Sequence, residues 1–221
     1  MMLTNSITFL AACASFLPAT YAGILQKDFT GIGHIHVWAS ADWRTATPDS
    51  KVGCLNKHGK FVKDESKDSC AVFERLDQFP YTLSSSIGNC TFDDETQEKN
   101  TDSVYGAIDN AWNCKKKWTS TIYDELYTID GFPHVFLCFG DVACYYDGKR
   151  TPKSNETLPL WQYRWGSQQM GITPGHVQLQ LVWDNIGDLP KREGESDIPG
   201  PRMQVTEDVQ IPLLGKRSKM L

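Results

Sequence analysis

The chain has 221 residues, 40% of them hydrophobic and 11% aromatic, which is enough for one domain with a substantial core. A formal net charge of −5 gives no bulk attraction to nucleic acid or to anionic lipid, so neither is expected as a partner. Residues 1–22, MMLTNSITFLAACASFLPATYA, hold no charged side chain and carry an apolar run from Ile7 to Leu17. Pro18 ends the run, and Thr20 and Ala22 are the small residues that signal cleavage requires. This pattern predicts a secretory signal peptide cut after Ala22; the run is too short to span a bilayer. The remainder divides into a β-rich domain, 23–186, and a flexible tail, 187–221.

In GHIHVW the residues alternate between faces of a strand, so Ile35 and Val37 are expected inward and His34 and His36 outward. Val104, Ile108 and Trp112 recur every four residues and suggest one short helix, weakened by Gly106. From Ile122 to Tyr146, IYDELYTI, FPHVFLCF and VACYY are separated by Asp130-Gly131 and Gly140-Asp141 and followed by Asp147-Gly148. Such pairs supply the positive φ of tight turns, and a three-stranded meander is expected. LWQYRW would place Trp161, Tyr163 and Trp165 on one face, with Gln162 and Arg164 on the other. HVQLQLVW would turn Val177, Leu179, Leu181 and Trp183 inward and His176, Gln178 and Gln180 outward. The fold class is therefore mainly β: an antiparallel sandwich or barrel-like domain with at most one short helix, followed by a disordered C-terminal tail. The tail mixes Pro, Gly and both charges, and its Lys191-Arg192 and Lys216-Arg217 pairs make Arg192 and Arg217 candidate processing sites.

Removal of the signal takes Cys13 away and leaves Cys54, Cys70, Cys90, Cys114, Cys138 and Cys144. An even set in an oxidising route implies a disulfide framework. Six cysteines allow 15 pairings; the sequential one is the expectation adopted here. No Cys/His spacing of a zinc site is present. Asn89-Cys90-Thr91 and Asn155-Glu156-Thr157 are acceptor triplets for N-glycosylation, consistent with secretion.

The candidate chemistry is sparse. His34 and His36 could begin a strand-borne metal site with His176 or His134, but no further ligand is identifiable, and no cofactor is expected. Asp93, Asp94, Glu95, Asp124 and Glu125 supply carboxylates from which a glycosidase pair could be drawn. His34, His36, Glu125 and Arg164 have the residue types of a ribonuclease. No nucleophile elbow or phosphate loop accompanies them. Lys115-Lys116-Lys117-Trp118 is the one local basic run and reads as a solvated turn. Trp161, Tyr163 and Trp165 are the candidate ligand-binding residues, since aromatic faces stack on sugars and anchor interfaces; the competing and commoner use of aromatics at period two is as a core face.

The signal peptide, six mature cysteines, the segment CLNKHGKFVKDESKDSCAVF and the dibasic tail together resemble small secreted cysteine-containing proteins of filamentous fungi. Many of those are effectors or candidate effectors acting on a host. The resemblance implies an extracellular, virulence-related role and brings no catalytic motif with it. The expected function is a non-enzymatic secreted module that binds a host protein, a host glycan or a cell-wall component. The alternative is a small secreted hydrolase using carboxylate or histidine acid–base groups. No membrane insertion is expected once the signal is removed, and the oligomeric state is not legible.

Overall fold

The computed structural model describes residues 29–65, 69–77, 80–129, 131–139 and 144–190. The expected signal peptide and the tail from Lys191 onward, with its dibasic pairs, lie outside them. Thirteen strands occur among the described residues. The first seven are β1 (Ile32–Trp38), β2 (Lys51–Leu55), β3 (Phe61–Val62), β4 (Phe73–Arg75), β5 (Leu83–Ser85), β6 (Cys90–Thr91) and β7 (Asn113–Cys114). The other six are β8 (Tyr127–Thr128), β9 (Val135–Cys138), β10 (Tyr146–Gly148), β11 (Thr157–Leu158), β12 (Trp161–Gln162) and β13 (Val177–Gly187). Two single-turn 3-10 helices, Pro48–Ser50 and Ile122–Asp124, complete the regular structure. Every strand pairing is antiparallel, so the mainly β expectation holds. No described helix is long and apolar enough to cross a membrane.

The sheet is organised around β1 and β13, which pair from Ile32↔Gly187 to Trp38↔Gln180. The second edge of β1 is shared by β2, at Val37↔Gly53, and β4, at Gly33↔Phe73. The second edge of β13 is likewise shared by β9, at Leu181↔Leu137, and β10, at Tyr146↔Leu179. The path then runs outward through β2, β3 and β11 on one side and through β10 and β12 on the other. A separate ribbon pairs β6 with β7.

The alternation of β1 works as read: Ile35 and Val37 are fully buried in the main core with Leu179, Leu181, Trp183, Phe61, Phe73 and Trp112. Gly33 is required on that face, because an added Cβ would meet the Trp183 ring at 2.7 Å and Asp184 O at 2.6 Å. The opposite face of the spine is also covered. Trp38, Ala46, Phe136, Cys138, Cys144 and Val182 form a second cluster there. This overturns the half-exposed reading of HVQLQLVW: Gln180 is fully buried, and the His176 side chain is only 5% exposed. A strand buried on both faces reads as a continuous apolar run, and Leu179–Trp183 comes close to one.

Four further expectations change. β8 and β9 form the predicted hairpin, at Tyr127↔Cys138, but β10 does not return to β9. Both instead dock side by side along β13, whose eleven residues offer a longer edge than either could give the other. Asp147 and Gly148, read as a turn, are strand residues of β10, with Asp147 buried. LWQYRW is a strand only at Trp161–Gln162. The predicted helix at 104–112 is a series of turns with Val104 and Ile108 exposed. Ser103 Oγ takes the Gly106 N–H at 3.0 Å as at a helix start, but the N–H groups that would continue the ladder go elsewhere: Asp109 N to Gly106 O at 2.9 Å, Ala111 N to Glu98 O at 2.9 Å and Trp112 N to Leu160 O at 2.8 Å.

Disulfides join Cys54 to Cys70, Cys90 to Cys114 and Cys138 to Cys144. Cys90 and Cys114 face each other across the β6–β7 ribbon, which two residue pairs alone would hold weakly. Trp112, just before β7, is fully buried and stacks at 4.9 Å on Phe92. Trp112→Ala is expected to cost about 3–5 kcal/mol, as large aromatic truncations in a core do. Urea unfolding checks this: the midpoint should fall with the slope unchanged. A loss below about 1 kcal/mol would show that the ribbon is not part of the cooperative core.

Candidate functional site: a groove between two pinned strand segments

Tyr123, Glu125 and Tyr127 line a groove of about 630 Å³, together with Ile122. Asp93, Phe139, Gln162 and Arg164 complete it. The side chains between these positions explain how they come to face outward. Asp124 is buried and accepts hydrogen bonds from Thr121 N (2.7 Å), Trp118 Nε1 (3.3 Å) and Thr91 Oγ1. Thr121 Oγ1 in turn takes the Tyr123 N–H at 3.2 Å, which closes a capping box around the 3-10 turn. Leu126 is buried beneath the next step. Asp124, held inward, closes the 3-10 turn and leaves Ile122 and Tyr123 exposed; from Glu125 on the backbone is extended, so burial of Leu126 turns Glu125 and Tyr127 to the groove. Trp161 does the same for Gln162: it is fully buried, donates from Nε1 to Glu98 O at 2.9 Å and stacks 6.1 Å from the His176 ring.

The charged groups at the groove are paired. Glu125 accepts from Arg75 Nη2 at 3.0 Å, and the Arg75 guanidinium lies over the Phe29 ring at 4.8 Å and the Tyr81 ring at 5.6 Å. Burial holds Arg75 below its ordinary value, and Glu125 opposes that shift. Arg164 binds Asp109 through Nε at 2.7 Å and Nη2 at 3.2 Å, a fork that fixes the guanidinium plane. Asp93 is the exception: desolvation, and then the neighbouring Asp124 charge, raise it above the usual carboxylate range. Tyr123 is 72% exposed, so its ring face is free for stacking.

The predicted aromatic ladder comes apart. Trp161 is core, Trp165 is 61% exposed, and Tyr163 is half-buried against Tyr145 at 5.7 Å. The face of this segment that meets the groove carries Arg164, one of the ribonuclease-type candidates, and Gln162, which nothing in the sequence singles out. Tyr123 and Tyr127 were missed, since Ile122–Asp124 is a 3-10 turn and strand alternation does not mark Tyr123.

The histidines do not converge. His34 Nδ1 meets Ala71 O at 2.8 Å, and His36 Nε2 meets Asp184 Oδ2 at 3.2 Å. Burial first, and then the Lys51 charge, lower His36. His134 packs on Trp38 at 4.7 Å. His36 stands opposite Val182, so His176 lies six residues away along the same strand line, about 20 Å at 3.3 Å per residue. His176 belongs to another network, with Nδ1 at 2.7 Å from Asp147 Oδ1 and Nε2 at 3.4 Å from Asp102 Oδ2. Among the described residues, His36, Asp64 and Cys70 are close enough to share an ion, but Cys70 is bonded to Cys54 and offers no thiolate.

Of the other acidic candidates, Asp94 and Asp124 have structural work, and Glu95 is exposed. Asp94 is buried and accepts from Lys115 Nζ (2.8 Å), Thr96 Oγ1 (2.7 Å) and Asn113 Nδ2 (2.9 Å). Lys115 of the basic run is thus a partner for Asp94 and lies 5.7 Å from the Trp118 ring. Asn89 is half-buried and donates to Trp118 O, while Asn155 is exposed. No protein-family model, curated protein or solved structure matches the chain.

Burial alone would raise Asp94, but its Lys115, Thr96 and Asn113 donors outweigh burial and hold it well below the ordinary range. A carboxyl depressed in the folded state stabilises fully above its unfolded pKa, about 3.9, and loses that contribution as pH falls below it. Asp94→Asn is therefore expected to cost about 2–3 kcal/mol at neutral pH. The variant should also lose part of the decline the parent shows below about pH 4. Urea midpoints at neutral pH and at about pH 3 measure both, and parallel curves for the two proteins would contradict the assignment.

Proposed function

We propose that the chain is a secreted, effector-like binding protein whose groove recognises a carbohydrate of the host surface or the cell wall. One observation carries this reading: the groove presents the exposed Tyr123 ring, with half-buried Tyr127 beside it, next to polar groups whose orientations are fixed from below. Sugar rings offer apolar faces for stacking and hydroxyls for bidentate hydrogen bonds, and Tyr123, Tyr127, Gln162 and Arg164 supply both. The Glu125–Arg75 and Arg164–Asp109 pairs are formed in advance, so a ligand does not have to order them. Secretion is supported by the leader-like N-terminus and by the pairing of all six mature cysteines. The effector-like and virulence-related part rests on the sequence resemblance alone.

Tyr123→Ala is expected to weaken binding of cell-wall oligosaccharides by about tenfold or more, the usual effect of removing an aromatic anchor. Calorimetric titration with chitin and β-glucan oligosaccharides reads this directly. Gln180→Leu, a change in the core, should leave affinity unaltered in folded protein. Equal affinity of the parent and Tyr123→Ala would remove the groove from recognition.

A second reading is favoured by one feature. Asp93 and Glu125 line the same groove, with Asp93 raised and Glu125 held beside a cation. Two carboxyls in one cleft are what glycosidases use to divide acid and base roles. If the groove hydrolyses its ligand, Asp93→Asn and Glu125→Gln will each abolish release of reducing ends while retaining binding. A parent protein that binds oligosaccharide and leaves it intact over long incubation would exclude this reading.

A further inference from the structure

The two glycosylation triplets lie in opposite surroundings. Asn89 is half-buried; its side-chain Nδ2 donates to Trp118 O at 2.9 Å and its backbone carbonyl accepts Lys115 N at 2.9 Å. The other members of its triplet are committed as well. Cys90 is bridged to Cys114, and the fully buried Thr91 donates to Asp124. The Asn89 amide therefore acts as a bracket between β6 and the 115–118 turn. A sugar on that nitrogen would have to leave past the turn that the amide holds.

Asn155 is exposed, and among the described residues its side chain makes no hydrogen bond. It has a φ of 60°, the left-handed conformation that Asn tolerates at turn tips. The turn is set by its neighbours. Glu156 N donates to Lys153 O at 3.1 Å, and the Glu156 carboxylate accepts Lys153 N at 2.8 Å and pairs with Arg150. Asn155 lies two residues before β11, which among the described residues pairs with β3 alone and stands at the end of the strand order. Exposed edges invite pairing between chains unless something covers them. Beside Asn155 is a polar cavity of about 280 Å³, lined by Asn56, Lys63, Glu65 and Ser69, with Glu65 held by Lys63 at 3.0 Å.

Resting on the secretion reading, we infer that the chain carries one N-linked glycan, on Asn155, whose first N-acetylglucosamine occupies this cavity and covers the edge at β11. Asn89 stays unmodified. The donor is a lipid-pyrophosphate-linked oligosaccharide of the secretory route. The Asn155 Nδ2 attacks C1 of its first sugar, the C1–O bond breaks, and the lipid pyrophosphate departs with the electron pair. The amide gives up one proton to base and keeps the other. The cavity's carbonyl, carboxylate and ammonium groups meet the sugar's acetamido and hydroxyl groups.

The experiment uses the full chain produced in a eukaryotic secretory host, with glycopeptide mass spectrometry of the medium. One glycan is expected, on Asn155; it is lost in Asn155→Gln and kept in Asn89→Gln. Sugar on Asn89, or bare Asn155 in secreted protein, would overturn the assignment. Trimming to a single N-acetylglucosamine should preserve Tm, whereas Asn155→Gln lowers it by about 2–4 °C. Equal Tm for the trimmed and Asn155→Gln forms would overturn the cavity contact. Retention of the chain inside cells would count against secretion itself. In that case the same mass measurement, on the chain with residues 1–22 replaced by a proven leader, decides the Asn155 assignment separately.

Discussion

The antiparallel pairing of β1 with β13 is the constraint on which the other elements depend. Each of these strands uses its second edge twice, β1 for β2 and β4, and β13 for β9 and β10. Most of the other strands have two to five residues and would not persist as isolated pairs. They are held because the spine is buried on both faces, by the Ile35–Leu181–Trp183 side and by the Trp38–Phe136–Val182 side. Loss of the spine register by one residue would exchange those two faces at every position.

Away from the spine, long connections replace regular structure, and covalent or polar ties stand in for ladders. Cys90–Cys114 closes the β6–β7 ribbon. Three buried aspartates then organise the surrounding loops. Asp94 gathers Thr96, Asn113 and Lys115; Asp124 gathers Thr91, Trp118 and Thr121; Asp147 gathers Asn100, Thr173 and His176. Hydrogen bonds to an ionised acceptor contribute about 1.5–3 kcal/mol each, more than neutral ones. A buried carboxylate with several donors therefore acts as a compact substitute for a hairpin, and this domain uses it repeatedly.

The β class and the inward face of β1 were legible because alternation in GHIHVW is strict and period two has one meaning in a strand. HVQLQLVW was misread on its polar face for a physical reason. Its glutamines are compatible with solvent, and the Trp38 cluster that covers Gln180 comes from residues far away in the chain. The helix expected from Val104, Ile108 and Trp112 failed for the same kind of reason, since Glu98 and Leu160 supply the acceptors for the Ala111 and Trp112 N–H groups. Asp147-Gly148 has the chemistry of a turn, but it lies where β13 needed a partner strand. Local pattern reports which face alternates; long-range partners decide which side is wet.

That distinction explains the groove. In LWQYRW the sequence reveals the period and conceals the sign. Trp161, Tyr163 and Trp165 are the conspicuous residues of their segment, but burial of Trp161 under Glu98 and against His176 consigns that parity to the interior at its first member. The residues between them, Gln162 and Arg164, then face the groove. In IYDELYTI the reverse holds. Asp124 is the residue most at home in water, yet the capping box and the Thr91 and Trp118 donors make it the buried pin, which leaves Tyr123 exposed; burial of Leu126 then turns Tyr127 to the groove. A satisfied buried charge beneath one strand segment and a tryptophan beneath the other fix the surface that a ligand would meet. The conformation of the groove is thus set from the interior, and its Glu125 and Arg164 groups are already paired when a ligand arrives.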